Sequence, residues 1–120
     1  MPYSISNTIE EFLSRGHRMI PSLTSAIAEI IARYGRIPLH KLFEEYNKLV
    51  FRGEALCTNW FEYEVNGRRV AACRSILYVL KHLRAEGAIE LYQDNGYEVV
   101  EVLNREKLRE FIEERRSQEA

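Results

Sequence analysis

The segment from Arg74 to Val102, RSILYVLKHLRAEGAIELYQDNGYEVVEV, constrains the fold more than any other part of the chain. From about Val70 to Gly87, apolar residues recur at the spacing of one helix face, and a glycine commonly ends a helix. The runs AIELY and YEVVEV then alternate apolar and polar residues around Asn95-Gly96, a pair that supplies the positive φ angles of a tight turn. The segment therefore predicts a helix followed by a two-stranded antiparallel hairpin.

Two more helices are predicted upstream of this segment. The run SLTSAIAEIIARYG places its apolar residues on one helical face and ends at Gly35. The run LHKLFEEYNKLV has the same periodicity and follows the short link RIP, in which Pro38 displaces the residue before it from the α region. We therefore expect a helix, a short extended link and a second helix.

The two ends of the chain are predicted to form helical extensions. Asn7 and Glu10 have the spacing of a capping box, and Asn104 is suited to cap the run REKLREFIEERR. The expected organisation is an N-terminal helical arm over residues 1–21, a domain over residues 22–103 and a C-terminal helix over residues 104–120.

The segment from Phe51 to Arg69 fits two structures. Phe61, Tyr63 and Val65 alternate with glutamates before Asn66-Gly67, which is typical of a strand that enters a tight turn. Asn59 and Glu62, however, have the spacing of a helix start. The sequence leaves a hairpin and a short helix open, and in either case Trp60, Phe61 and Tyr63 favour local packing over a ligand cage, with a contact surface as the alternative.

Composition limits the class of protein. A chain of 120 residues that is 46% hydrophobic is long enough for one domain with a core. Its formal net charge of −1 provides no overall attraction to a polyanion, so a nucleic-acid site must be a local basic patch.

The two cysteines, Cys57 and Cys73, are far apart in sequence. We expect both to be reduced and to serve as small, buried or half-buried side chains. With no apolar run of about 18 residues and an acidic N-terminus, a cytoplasmic protein is expected.

The order helix, short strand, helix, connection, helix, hairpin resembles that of the winged helix-turn-helix DNA-binding family. The resemblance lies mainly in SILYVLKHLRAEGAIELYQDNGYEVVEV, with Glu86-Gly87 at the helix exit and Ile89 at the first wing strand. It implies a mainly α fold with a small β-hairpin wing (α+β), a winged helix-turn-helix with N- and C-terminal helical extensions. It also implies a transcription regulator whose third helix lies in the major groove of double-stranded DNA.

The face of the third helix opposite its apolar residues carries Arg74, Tyr78 and Lys81. His82 flanks this face, and Arg68 and Arg69 precede it. Arginine can bind guanine edges or phosphate through two hydrogen bonds, and tyrosine can donate to phosphate. The predicted DNA-binding residues are Arg68, Arg69, Arg74, Tyr78, Lys81 and His82.

Both terminal extensions carry apolar faces that a three-helix core does not need. They can cover each other within one chain or pair across a two-fold axis, and we favour a homodimer because a nearly neutral chain with an acidic wing turn, QDNG, binds DNA poorly alone. The predicted dimer interface consists of Ile9, Phe12, Leu13, Leu108, Phe111 and Ile112.

The sequence does not predict an enzyme, a metal site or a cofactor. His17, His40 and His82 lack the spacing of metal ligands with one another or with the cysteines, and no glycine-rich phosphate loop is present. The alternative to DNA binding is a protein–protein interaction module in a larger assembly, because the same scaffold serves both purposes.

Overall fold

The computed structural model describes residues 21–119, which form four helices and five strands in two antiparallel sheets. The predicted order of helix, short strand, helix, connection, helix and hairpin is present, and a last helix follows it. The elements are α1 (Pro21–Tyr34), β1 (Arg36–Pro38), α2 (Leu39–Phe51), β2 (Trp60–Val65), β3 (Arg68–Cys73), α3 (Ser75–Ala85), β4 (Ile89–Asp94), β5 (Tyr97–Val102) and α4 (Arg105–Glu119).

The predicted fold class, mainly α with one small hairpin wing, is wrong. The molecule is an α+β domain, because its strands form two separate sheets rather than a single wing. The link RIP is a strand that pairs with β5, which gives a three-stranded sheet in the order β1-β5-β4. The connection between α2 and α3 contributes the second sheet.

The β4–β5 hairpin forms as the sequence predicts. Its strands pair from Ile89 opposite Val102 to Asp94 opposite Tyr97. Asn95 and Gly96 have φ angles of 51° and 83°, the left-handed conformation that this tight turn requires.

The segment from Phe51 to Arg69 contains the first strand of a hairpin, not a helix. Strands β2 and β3 pair from Trp60 opposite Cys73 to Val65 opposite Arg68. The prediction that the third helix begins at about Val70 is therefore wrong, because Arg68–Cys73 is a strand and α3 begins at Ser75. The residues before Ser75 are apolar at positions that suit a half-buried strand as well as a helix.

The β2–β3 hairpin packs on α2 through aromatic side chains. The Phe43 ring lies edge-on to Phe61 and Tyr63, with ring centroids 5.8 and 4.9 Å apart. All three side chains are buried. These contacts confirm that Phe61 and Tyr63 serve local packing.

A disulfide joins Cys57 to Cys73 at the base of this hairpin. The expectation that both cysteines are reduced is thus wrong for this structure. Strand pairing is the physical reason, because it places Cys73 opposite Trp60, three residues after Cys57, and brings the two Cα atoms within 5.9 Å.

Helix α4 packs against α1 and is capped as predicted, with the backbone N–H of Lys107 donating to Asn104 Oδ1 at 3.0 Å. Leu108 and Phe111 are buried in the same core as α1, and Ile112 packs against that core. None of the helices in residues 21–119 is both long enough and apolar enough to cross a membrane.

The burial of α4 corrects part of the predicted dimer interface. Leu108 and Phe111 are covered by their own chain and are not available to a second copy. The other predicted interface residues on the N-terminal side, Ile9, Phe12 and Leu13, lie outside the described residues, as does the N-terminal arm.

Candidate nucleic-acid interface

One face of α3 is fully occupied by the core. The buried apolar residues on this face are Ile76, Leu77, Val79, Leu80 and Leu83. On the opposite side, Arg74, Tyr78 and Lys81 remain partly exposed. We call these three residues the α3 strip. The structure brings them to one face of the helix, as the 100° step per residue predicts.

Arg74 is the residue between β3 and α3, and it is held in place from two sides. Its backbone N–H donates to the Asn59 carbonyl oxygen at 2.9 Å. Its guanidinium lies over the Phe61 ring, 5.2 Å from the centroid, in a cation–π contact. The β2–β3 hairpin therefore fixes one end of the α3 strip.

Arg68 and Arg69 lie beside the β2–β3 turn and expose 68% and 62% of their side chains. Each is near one carboxylate, with Arg68 3.5 Å from Glu44 and Arg69 3.3 Å from Glu62. Exposed ion pairs of this kind contribute about 0–1 kcal/mol. Both arginines can consequently exchange these partners for another anion.

His82 follows Lys81 on α3 and contacts α4 through Phe111. Its ring centroid is 5.2 Å from that of Phe111, and its Nε2 atom is 3.3 Å from a Glu86 carboxylate oxygen. This contact leaves the His82 side chain 33% exposed, so the prediction that His82 flanks a DNA-binding surface stays a prediction.

The acidic turn of the β4–β5 hairpin has a cationic partner that the sequence did not reveal. Arg36 on β1 forms an ion pair with Asp94 and donates from Nε to the Tyr92 hydroxyl at 2.8 Å. The Tyr92 hydroxyl in turn donates to Glu101, and this hydrogen bond raises its pKa. Arg36 is more than 50 positions from Tyr92 and Asp94, so local sequence could not reveal this pairing. The only indication in the sequence was that Arg36 lies in the extended link before Pro38.

The two hairpin turns lie side by side. Asn66, in the β2–β3 turn, donates from Nδ2 to the hydroxyl of Tyr97 at 2.6 Å, immediately after the β4–β5 turn. The same end of the molecule therefore carries Arg68 and Arg69 from one hairpin and the Arg36–Asp94 pair from the other.

Comparison of the chain with protein-family models, curated proteins and solved structures finds no match. Among residues 21–119, no three histidine, cysteine or acidic side chains gather in a way that would hold a metal ion.

Proposed function

We propose that this protein binds double-stranded DNA and regulates transcription, with α3 as the helix that reads the major groove. The observation that carries the proposal is the α3 strip, in which Arg74, Tyr78 and Lys81 share a partly exposed face of the helix. A helix in the major groove needs polar side chains on the face away from its own core, and arginine, lysine and tyrosine suit base edges and phosphates.

The charge distribution favours a local contact over a general attraction. The chain has a formal net charge of −1, so DNA affinity has to come from Arg74, Lys81 and the exposed Arg68 and Arg69 beside them in sequence. Each phosphate that such a side chain neutralises releases counterions and contributes to affinity. We therefore expect binding that is weak for one copy and sensitive to salt.

A gel-shift experiment tests this proposal directly. The intact chain is mixed with a random duplex library, bound sequences are selected, and the salt dependence of binding is measured for the wild type and for Lys81→Gln. If Lys81 contacts phosphate, the slope of log K against log salt falls by about 0.9 in the variant. Arg109→Gln is the matched control, because Arg109 lies on α4 with an exposed side chain and pairs with two glutamates of its own helix.

Two results would count against DNA binding through α3. One is a wild type that binds no duplex at low salt. The other is binding that is equal in Lys81→Gln, Tyr78→Ala and the Arg109→Gln control.

A homodimer is proposed as the active form, joined through the N-terminal stripe of Ile9, Phe12 and Leu13. Two copies double the phosphate contacts and set two α3 helices about 34 Å apart, one turn of DNA. Sedimentation of the intact chain at micromolar concentration should give a dimer, and Phe12→Asp should give a monomer. A monomeric wild type contradicts this assembly.

We also propose a cytoplasmic location. Disulfides are rare in the cytosol of mesophiles, but intracellular proteins of hyperthermophiles are rich in them. The Cys57–Cys73 bond therefore fits a cytoplasmic location only if the source organism is a hyperthermophile. Thiol trapping in lysed cells of the source organism would show whether the bond is present there.

A second candidate function, protein–protein interaction, is favoured by the connection between α2 and β2. Phe51 and Leu56 expose 82% and 67% of their surface, and Trp60 exposes 38%. If these side chains form one contiguous apolar patch, that patch is the kind of surface at which protein contacts occur. An interaction at this segment would be insensitive to salt and lost in Leu56→Asp, whereas DNA binding would keep its salt dependence in that variant.

A further inference from the structure

An open cleft of about 440 Å³ lies between helices α1 and α2 and shares no residue with the α3 strip. This volume lies within the range of small-molecule sites, about 300–1,000 Å³. Ile30, which is 3% exposed, and the partly buried Leu49 form part of its lining. The cleft is therefore concave and has an apolar part, as small-molecule sites usually do.

Three cations line the cleft from both helices. Arg33 comes from α1, Lys48 comes from α2, and Arg52 directly follows the last residue of α2. The Arg52–Glu54 pair is exposed on both sides, at 63% and 57%, and is therefore weak and exchangeable. Lys48 exposes 69% of its side chain while it pairs with Glu45, whose side chain is only 13% exposed, so Lys48 can reach a ligand from beside that carboxylate. A ligand in the cleft meets positive charge from both helices.

The two carboxylates in the cleft already have partners. Glu45 accepts hydrogen bonds from the Tyr34 hydroxyl and from Lys48, and these bonds hold its pKa below the usual value. Glu29 forms an ion pair with Arg116 of α4. The negative charge of the cleft is thus compensated from within the protein.

Lys41 adds positive charge beside Tyr34, whose ring also lies close to Arg33. The ring of Tyr34 lies 5.5 Å from the Arg33 guanidinium carbon and 5.1 Å from Lys41 Nζ. A ring attracts an exposed cation by only about 0.5–1 kcal/mol, so both cations can turn toward a stronger anionic partner. Among the residues that line the cleft, the three cations Arg33, Lys48 and Arg52 face two paired carboxylates, those of Glu29 and Glu45.

We infer that the cleft between α1 and α2 binds a small phosphate-bearing anion, with Arg33, Lys48 and Arg52 contacting the phosphate oxygens. Arginine pairs with phosphate through two parallel hydrogen bonds, and lysine contributes a point charge. A small ligand suits the site better than a duplex, because a convex duplex reaches the rim of a cleft but not its interior. Such a site would give the protein an effector that acts away from the α3 strip.

Calorimetric titration of the intact chain with pyrophosphate at about 50 mM salt tests this inference. We expect saturable binding of one pyrophosphate per chain. Arg33→Gln should weaken it at least tenfold, since a hydrogen bond to a charged group contributes about 1.5–3 kcal/mol and 1.4 kcal/mol is a tenfold change. Arg52→Gln is a second variant at the other helix, and Arg109→Gln is the charge-matched control. Circular dichroism verifies that each variant is folded.

Three outcomes overturn the inference. The first is that pyrophosphate does not bind the wild type at millimolar concentration. The second is an equal loss of affinity in Arg33→Gln and Arg109→Gln. The third is that a 20-base-pair duplex, tested in parallel, depends on Arg33 whereas pyrophosphate does not bind, which would assign the cations to nucleic-acid phosphates.

Discussion

Reduction of the Cys57–Cys73 disulfide is expected to lower the free energy of unfolding by about 3 kcal/mol. The bond joins residues 16 positions apart, and a cross-link over a loop of that length restricts the unfolded chain by about this amount. For a domain of this size, about 4 °C of melting temperature corresponds to each kcal/mol, so the expected fall in melting temperature is about 12 °C.

The assay is urea and thermal unfolding of the wild type with and without a phosphine reductant, followed by circular dichroism. Cys57→Ser is the appropriate variant, because Cys57 is half-buried whereas Cys73 is completely buried. A serine at position 73 would add the cost of burying a hydroxyl to the loss of the cross-link. Cys57→Ser should match the reduced wild type in stability and should not respond to reductant.

The reasoning would be refuted if mass spectrometry shows full reduction of the wild type while its unfolding midpoint does not change. It would also be refuted if both cysteines of the untreated protein react with a thiol reagent under denaturing conditions, because the bond would then be absent in solution.

Three more predictions concern packing, the backbone and pH. Phe43→Ala should lower stability by about 3–5 kcal/mol in urea unfolding, because Phe43 is fully buried, whereas Phe51→Ala at an 82% exposed position should change it by less than about 0.5 kcal/mol. Gly67→Ala should cost about 1–2 kcal/mol in the same assay, because a Cβ there meets open space but the φ of +77° is strained for alanine. The pKa of Glu45 is lowered in the folded protein, mainly by the hydrogen bond from Tyr34. The ionised Glu45 carboxylate therefore stabilises the fold above the ordinary pKa of 4.5, and this stabilisation is lost as the pH falls below 4.5. Tyr34→Phe should therefore reduce the loss of stability between pH 5 and pH 2, and an unchanged loss would contradict this origin.

Three turns and caps that depend on local sequence were predicted correctly. Gly35 ends α1 with a φ of 74°, and Asn95-Gly96 forms the β4–β5 turn. Asn104 caps α4. Each depends on residues within one or two turns, where backbone preference and periodicity decide the outcome.

The second hairpin shows where periodicity is insufficient. Phe61, Tyr63 and Val65 suit a strand, while Asn59 and Glu62 suit a helix start, and the sequence left both open. The choice depends on Phe43 of α2, which supplies the aromatic contact that a strand makes on this face. The disulfide was missed for the same reason, because only the pairing of β2 with β3 places the cysteines together.

The candidate site was predicted less completely than the helices. Helical spacing correctly placed Arg74, Tyr78 and Lys81 on one face, because the core occupies the other. It could not show that Phe111 of α4 would contact His82 or that Leu108 would be buried, since an apolar stripe indicates that a face must be covered but not which element covers it.

The closeness of Cys57 and Cys73 bears on how such a domain can change during evolution. Their Cα atoms are 5.9 Å apart, a gap that one or two residues can bridge, so the intervening segment has the end-to-end geometry of a removable insert. Its side chains are not removable in the same way, because excision of the hairpin would leave Phe43 of α2 open to water. Gain or loss of the hairpin therefore has to be accompanied by substitution on α2, and a chain that lacks the hairpin should carry a polar residue in place of Phe43.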